Sequence, residues 1–382
     1  MTEIVDSKYC FGCTACSSSC PKQAITMVES PKGFLYPKID KDKCVDCKIC
    51  QKVCPVIIGN KLIADVEGEA YAVQHYNDSV LYNSSSGGAF TALSDYVLKK
   101  SGVVYGAAYS ENMVVEHIRA ESTVVRNKMR DSKYVQSRLG DTFKSVLSDL
   151  ERGLMVMFTG TPCQCAGLRS FLKKDYDNCY LVEIFCHSTP SPKIFSEHIH
   201  LLEYKNKSKV VSYSSRSKKY GWTRHDVVGF ENGRYEDSSM LSQMYYELFN
   251  LKMIARDSCK SCQFGGKQRC ADLSIGDFWG SRDVEIPLKK SKGISVLLVN
   301  NPKGKKLISD IVGLQKYKIT LEDAFKRNHS TSIQFNPKSD DFWDEYEKNG
   351  YIKALRKYAG YTLWGRVKFK AKRIFRAIRR ML

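Results

Sequence analysis

Between Cys10 and Pro55 the same cysteine spacing occurs twice. The first run is Cys10-x2-Cys13-x2-Cys16-x3-Cys20-Pro21. The second is Cys44-x2-Cys47-x2-Cys50-x3-Cys54-Pro55. A tight Cys-x-x-Cys loop places three thiolates around a common centre and leaves the fourth corner to a distant residue. Two such runs can complete each other, each lending its fourth cysteine to its neighbour's group.

This is the spacing by which bacterial ferredoxins hold two 4Fe–4S clusters. Cys10, Cys13, Cys16 and Cys54 are expected to hold one cluster, and Cys20, Cys44, Cys47 and Cys50 the other. Paired Cys-x-x-Cys loops also build zinc ribbons. Zinc, however, gives no reason for the third cysteine of each run or for the two Cys-Pro endings. A disulfide framework belongs to small secreted scaffolds, and no basic segment followed by an apolar core opens this chain. Segments 24–28 and 33–39 read as short strands. Residues 1–60 are therefore expected to form a two-cluster ferredoxin-type domain.

The 15 cysteines, used in loop motifs, point to metal chemistry in a reducing cytoplasm. The formal charge of +19 is partly nominal, because thiolate-ligated clusters carry negative charge. No apolar run approaches the length of a membrane span.

Downstream, 61–68 reads as a linker and 69–76 alternates like a strand. The stretch Asn83-Ser-Ser-Ser-Gly-Gly-Ala-Phe90 opens a helix running to about Lys100, with serine expected near the N-cap and Gly102 past the end. Such a helix start exposes backbone N–H groups and suits an anion; a plain capped helix is the alternative. Segments 102–109 and 113–118 resemble strands, and Ser132-Lys-Tyr-Val-Gln-Ser137 leads into a helix ending near Gly153.

The apolar run 154–159, the turn Gly160-Thr-Pro-Cys-Gln164 and a helix over 166–174 form a βα unit of the kind that open α/β sheets use for ligands. Cys163 lies at that turn, where a helix terminus is expected to lower its pKa. The strand candidate 180–185 ends in Cys186-His187. Two cysteines thus sit at the C-terminal ends of successive strands, while Cys179 at a strand start reads as structural. Cys259-x2-Cys262-x7-Cys270 suggests a third metal group with one corner open to Cys163 or Cys186; zinc or plain structural thiols fit the same spacing. Asp272 and Asp277 are not spaced as a general acid/base pair.

From Trp364 onward, Trp364, Val367, Ala371, Ile374, Phe375, Ile378 and Leu382 recur at helical spacing. Arg366, Lys368, Lys370, Lys372, Arg373, Arg376, Arg379 and Arg380 fill the other faces without any acidic residue. A basic amphipathic helix of this kind lies on an anionic membrane surface or docks on a partner. Packing on its own domain is the plain alternative. No recognised nucleic-acid motif accompanies it, so no nucleic acid is expected.

Taken in order, the ferredoxin-type unit, Ser85-Ser-Gly-Gly88, Ser132-Lys-Tyr-Val-Gln-Ser137, Gly160-Thr-Pro-Cys-Gln164, Phe185-Cys-His187, Cys259-x2-Cys262 and Ile275-Gly-Asp-Phe-Trp-Gly280 resemble the beta subunit family of coenzyme F420 hydrogenase/dehydrogenase. The similarity runs from Cys10 to about Gly280. It implies an iron–sulfur flavoprotein carrying FAD and 4Fe–4S clusters. By matching motif, Ser86, Gly87, Gly88, Ser132, Lys133 and Tyr134 would surround the flavin. Gly160, Thr161 and Cys163 would lie at the flavin and cluster edge, and Cys259, Cys262 and Cys270 would supply an additional cluster. The Gly-x-Gly-x-x-Gly fingerprint is absent, so NAD on an ordinary Rossmann turn is not supported.

The expected fold is an α+β ferredoxin-like N-terminal domain (1–60), then a mixed α/β flavin-binding catalytic domain (its N-terminal part 61–150 and C-terminal part 151–340), then a basic helical tail (341–382). The expected function is an oxidoreductase. Electrons would pass from ferredoxin or a partner protein through the clusters to FAD, then as hydride to a deazaflavin of the coenzyme F420 type or another small organic acceptor. The expected location is the cytoplasm, with the tail at the inner membrane face. The rival is a non-enzymatic electron-transfer subunit of a larger complex.

Overall fold

The fold is taken from a computed structural model, which describes residues 4–371 apart from 65, 67, 223, 224, 238, 329–333 and 370. The N-terminal unit repeats in three dimensions as it does in sequence. Strand β1 (Ile25–Glu29) pairs antiparallel with β2 (Leu35–Ile39). Each cysteine loop closes into a one-turn helix, Ala15–Ser18 and Ile49–Lys52. Both helices are entered through a left-handed residue, Thr14 (φ 63°) and Lys48 (φ 59°). These are equivalent positions of the repeat. Left-handed backbone costs a non-glycine residue about 1–2 kcal/mol, and alternating left- and right-handed residues turn N–H groups toward a common anion site.

The remaining strands are β3 (Glu69–His75), β4 (Val103–Tyr109), β5 (Val115–Ala120), β6 (Val156–Gly160), β7 (Cys179–Ile184), β8 (Val210–Ser214), β9 (Val227–Phe230), β10 (Tyr235–Asp237), β11 (Leu273–Asp277), β12 (Ser295–Val299) and β13 (Leu314–Ile319). Eight of them form one sheet in the order β13-β3-β12-β11-β7-β6-β4-β5. Its centre, β11-β7-β6-β4, is parallel, and the flanking pairs are antiparallel. The fold is mixed α/β.

The parallel centre follows from its sequence. Strand β6 is buried at every position, as expected where helices cover both faces. Val156 and Phe158 point into a core built from helices Thr142–Glu151 and Pro162–Leu172. Met157 points into the opposite core, with helix Ala89–Lys99. Phe11, Cys13, Ala15 and Val53 of the N-terminal unit share the first of these cores. The ferredoxin-type unit is thus packed directly against the two helices that back the sheet.

Three differences from the sequence reading have local causes. Segment 61–68 is not a free linker, because Ala64 pairs antiparallel with Arg269 through N–H···O bonds of 3.0 and 2.9 Å. The N-cap of helix Ala89–Lys99 is Gly88 (φ 81°), not a serine. The serine hydroxyls are engaged elsewhere: Ser85 Oγ with Asp131, and Ser86 Oγ with the Ile294 carbonyl at 2.8 Å. The short helices Asp78–Tyr82 and Thr123–Asn127, five residues each, are started by the side-chain caps Asn77 and Ser122 rather than by an apolar periodicity.

A second, three-stranded antiparallel sheet, β10-β9-β8, packs with helices Pro192–Asn206, Met240–Asn250, Ser339–Asn349 and Tyr351–Tyr358 around a separate core. Beyond it, residues 363–369 are helical, with Leu363, Trp364 and Val367 exposed. Of the tail pattern, Ile374, Phe375, Ile378, Leu382, Lys370, Lys372, Arg373, Arg376, Arg379 and Arg380 lie outside the described residues. No helix among the described residues is long and apolar enough to cross a membrane.

Candidate functional site

The N-terminal cysteines face two small cavities. Cys10, Cys13, Cys16 and Cys54 line one, and Cys20, Cys44, Cys47 and Cys50 line the other. Each cavity takes three cysteines from one run and one from the other. Backbone N–H groups already point at sulfur: Gly12 N lies 3.4 Å from Cys10 Sγ, and Ala24 N lies 3.3 Å from Cys20 Sγ. Four thiol donors per cavity, ringed by strained loops, fit a cubane cluster. Among the described residues no three His, Cys, Asp or Glu side chains converge as the ligands of a single metal ion.

The later cysteines assort differently from the sequence reading. Cys163 lies in the first turn of helix Pro162–Leu172, directly after β6. Cys186 follows β7, the parallel neighbour of β6. Cys259 and Cys262 come up beside them on the short helix Asp257–Ser261 and its end. Each of these four thiols lies within electrostatic reach of the other three. Cys270 stands apart: its thiol donates to the Pro162 carbonyl (3.1 Å) and to Glu183 Oε2 (3.2 Å). The Ala64–Arg269 bridge and the entry into β11 draw Cys270 into the core, so it does not join Cys259 and Cys262. Both Cys163 and Cys186, rather than one of them, stand with that pair.

Cys163 also departs from expectation in its acidity. Burial pushes its thiol well above the ordinary value, and the neighbouring Cys262 and Cys186 act in the same direction. Desolvation thus outweighs the Thr161 hydrogen bond, which acts to lower it. Burial likewise raises Cys186 to about 12 and Cys259 to about 11.

Beside this cysteine group, at the C-terminal ends of the parallel strands, opens a cavity of about 290 Å³. Its wall is built from the serine loop (Ser84, Ser85, Ser86 and Gly88), the segment Met129 to Ser137, and Gly160 and Thr161 after β6. Cys186 to Pro190 after β7, Asp277 at the end of β11, and Trp279 complete it. The expected residues Ser86, Gly88, Ser132, Lys133, Tyr134, Gly160 and Thr161 all line it. Gly87 does not. It is wedged where a Cβ would collide with the Val73 carbonyl and the Ser295 amide, so it locks the loop between β3 and β12.

Local chemistry sets each side chain. Lys133 Nζ donates to the Lys128, Arg130 and Asp131 carbonyls, and burial lowers its pKa to about 8. Thr161 caps its helix reciprocally with Gln164, whose side-chain nitrogen reaches Ser137 Oγ at 2.9 Å. His117 Nε2 lies 3.0 Å from the Thr159 carbonyl, and burial lowers its pKa to about 4. The ring is neutral at pH 7, and its Nε2–H donates to that carbonyl.

Two family models match the chain. The 4Fe-4S dicluster domain covers residues 9–58, and the C terminus of the coenzyme F420 hydrogenase/dehydrogenase beta subunit covers residues 154–325. The chain joins a 4Fe-4S dicluster domain to the C-terminal domain of the coenzyme F420 hydrogenase/dehydrogenase beta subunit. The coenzyme F420-dependent sulfite reductase of Methanocaldococcus jannaschii is 27% identical over 346 residues, covering 85% of this chain and 49% of that protein. A polyferredoxin-like protein of the same organism is 37% identical over 62 residues, 14% of this chain and 37% of that protein. The chain spans half the length of these curated relatives or less. A chain of the F420-reducing [NiFe] hydrogenase complex of Methanosarcina barkeri superposes with a TM-score of 0.48 at 17% identity, over 77% of this chain and 97% of that one.

The beta-subunit domain also holds functional candidates that sequence reasoning missed. Arg216 is buried and forms a two-pronged pair with Asp277 (2.9 and 3.1 Å), reaches Tyr134 Oη at 3.1 Å, and lies over the Trp279 ring. Trp222 stacks on Trp279 and donates to Asp277 at 3.1 Å. Lys218 Nζ ties together the Leu81, Ser86 and Lys292 carbonyls, and burial lowers its pKa to about 7. Together these residues brace the serine loop and Tyr134 from behind. Their partners are 55 to 137 positions away in sequence, so no local motif marks them.

Proposed function

We propose that the chain is an iron–sulfur flavoprotein oxidoreductase of the F420-linked kind. The observation that carries this reading is an adjacency. The cavity is walled by Cys186 and by Thr161, two residues before Cys163. Those cysteines stand with Cys259 and Cys262, and helix Pro162–Leu172, which carries Cys163, packs on the dicluster unit. A 4Fe–4S cluster handles single electrons and a flavin handles one or two, so together they link one-electron carriers to hydride chemistry.

In this reading Cys10, Cys13, Cys16 and Cys54, and Cys20, Cys44, Cys47 and Cys50, hold two clusters. Cys163, Cys186, Cys259 and Cys262 hold a third. FAD lies in the cavity. The N-terminus of helix Ala89–Lys99 and the cationic Lys133 favour its pyrophosphate. Tyr134, Phe249, Phe185 and Trp279 offer the apolar surface that a planar ring requires and exclude water from it. Ser132 and Thr161 present polar groups along the wall. Neutral His117 adds no charge there, so positive charge in the cavity comes from Lys133 and Arg130. The acceptor is a deazaflavin of the coenzyme F420 type, in keeping with the F420-dependent relative, or another small organic molecule. The donor is a ferredoxin or a partner protein at the N-terminal clusters. Leu363, Trp364 and Val367, exposed beside Arg366 and Lys368, continue into the basic C-terminal sequence and suit the surface of an anionic membrane.

The test is anaerobic reduction of the FAD-reconstituted chain by reduced ferredoxin, followed by flavin bleaching and then by oxidation on adding coenzyme F420. Rapid bleaching in the parent and slow bleaching in Cys259→Ser is the expected result. A chain that retains no flavin after reconstitution would be an electron-carrier subunit instead.

A further inference from the structure

Among the described residues four arginines are almost sealed from solvent: Arg126, Arg216, Arg256 and Arg269. Three have a carboxylate: Arg126 pairs with Asp95 at 2.7 Å, Arg216 with Asp277 at 2.9 Å, and Arg269 with Glu183 at 3.2 Å. Arg256 is 1% exposed and pairs with no carboxylate among the described residues. Each of its three nitrogens nonetheless donates a hydrogen bond. Nε donates to the Cys10 carbonyl (2.8 Å), Nη1 to Gln136 Oε1 (2.9 Å) and Nη2 to the Leu35 carbonyl (2.9 Å). The guanidinium lies 4.2 Å from the centre of the Tyr36 ring. A buried cation with neutral partners is costly unless negative charge stands nearby.

That charge has two evident sources. On one side Arg256 grips the backbone of Cys10, and a Cβ on Gly12 would lie only 3.0 Å from Nη1. On the other side it sits three residues before Cys259 and acts electrostatically on that thiol. The Arg256 carbonyl in turn accepts from Cys259 N at 2.9 Å, so the residue is tied to both cysteine groups, and Tyr36 beneath the guanidinium feels Asp257, Cys10 and Cys259 as well as Arg256.

We propose that Arg256 is the fixed counter-charge of two iron–sulfur groups, the one held by Cys10, Cys13, Cys16 and Cys54 and the one held by Cys163, Cys186, Cys259 and Cys262. This rests on the cluster reading above. Each reduction adds one electron to a cluster, supplied by a ferredoxin or a chemical reductant. Arg256 stays cationic and no bond changes. A fixed positive charge stabilises the more negative reduced form, so it raises the reduction potential of both groups and makes them accept electrons more readily.

The test is a redox titration of the anaerobically purified full chain, followed by electron paramagnetic resonance, with iron and sulfide measured on each sample. Arg256→Gln is expected to lower the potential of at least one cluster by tenfold or more in its reduction equilibrium, ~59 mV. Arg256→Lys, which keeps the charge, is expected to stay near the parent. Full iron with unmoved potentials in Arg256→Gln overturns the proposal, as does an equal shift in Arg256→Lys. Where Arg256→Gln loses iron, Gln136→Glu decides: it keeps the arginine and sets a carboxylate against Nη1. A lowered potential there supports the counter-charge, and an unmoved one overturns it. A parent chain without iron would instead remove the cluster reading itself.

Discussion

Cys13 Sγ lies 2.9 Å from the point where a Cβ would stand on Gly167, and Cys13 Cβ lies at 2.8 Å. Gly167 is one helical turn beyond Cys163 on helix Pro162–Leu172. Residues four apart share a helix face, so this one face meets the group of Cys10, Cys13, Cys16 and Cys54 at Gly167 and carries Cys163 to Cys186, Cys259 and Cys262. Gly167→Ala is expected to displace Cys13, lower the iron content and destabilise the fold by about 1–3 kcal/mol, the usual cost of overpacking. Helix propensity alone favours alanine by ~1 kcal/mol. Full iron with a raised Tm would show that the close approach is not required.

The regrouped cysteines make a separable prediction. Cys163→Ser, Cys186→Ser and Cys259→Ser are each expected to remove about four irons per chain. Cys270→Ser is expected to leave iron unchanged, because that thiol is engaged by Pro162 and Glu183. Iron analysis beside the visible spectrum of each variant checks this, and an iron loss in Cys270→Ser alone would reverse the regrouping.

Lys133 gives a pH signature. Its pKa is lowered from 10.5 to about 8, so the group is cationic at pH 7 and largely neutral by pH 9.5. Affinity for FAD is expected to fall as pH rises through about 8, and Lys133→Met is expected to bind weakly with no such step. Stability has the opposite sign. A lysine lowered on folding disfavours the folded state below pH 8, and this penalty fades as pH rises toward 10.5. Fluorescence binding and Tm series over pH 7–10 measure the two trends.

The Arg216–Asp277 pair braces the cavity wall. Asp277→Asn leaves a buried cation without its carboxylate and is expected to cost about 3–5 kcal/mol, read by urea denaturation. The double variant Arg216→Met, Asp277→Asn should recover part of that loss. Equal or greater loss in the double variant would show that packing, not charge, governs the site.

The exposed Leu363, Trp364 and Val367 predict membrane affinity. The full chain is expected to sediment with vesicles containing phosphatidylserine and to be released by salt. Truncation after Gly360 is expected to abolish sedimentation. Sedimentation by the truncated chain would place the contact elsewhere.

The dicluster unit was legible because its ligands are set by chain-local spacing, which survives any tertiary context. The ends of β6 and β7 were legible for a similar reason: apolar runs stop at Gly160 and at Cys186, and helix starts follow. Cys270 misled because its spacing from Cys262 looks local, while its position is decided by the Ala64–Arg269 bridge and by β11. The cap at Gly88 was hidden because Ser85 and Ser86 spend their hydroxyls on Asp131 and Ile294, both distant in sequence. Arg216, Lys218 and Arg256 gave no signal at all. The partners of each are brought in by other elements of the fold.

Three clusters feeding a flavin are proposed for this chain, and anaerobic purification with iron, sulfide, zinc and flavin quantified per chain counts them. About twelve irons, matching sulfide and one FAD are predicted. About eight irons without flavin after reconstitution, or zinc in place of iron, would contradict it.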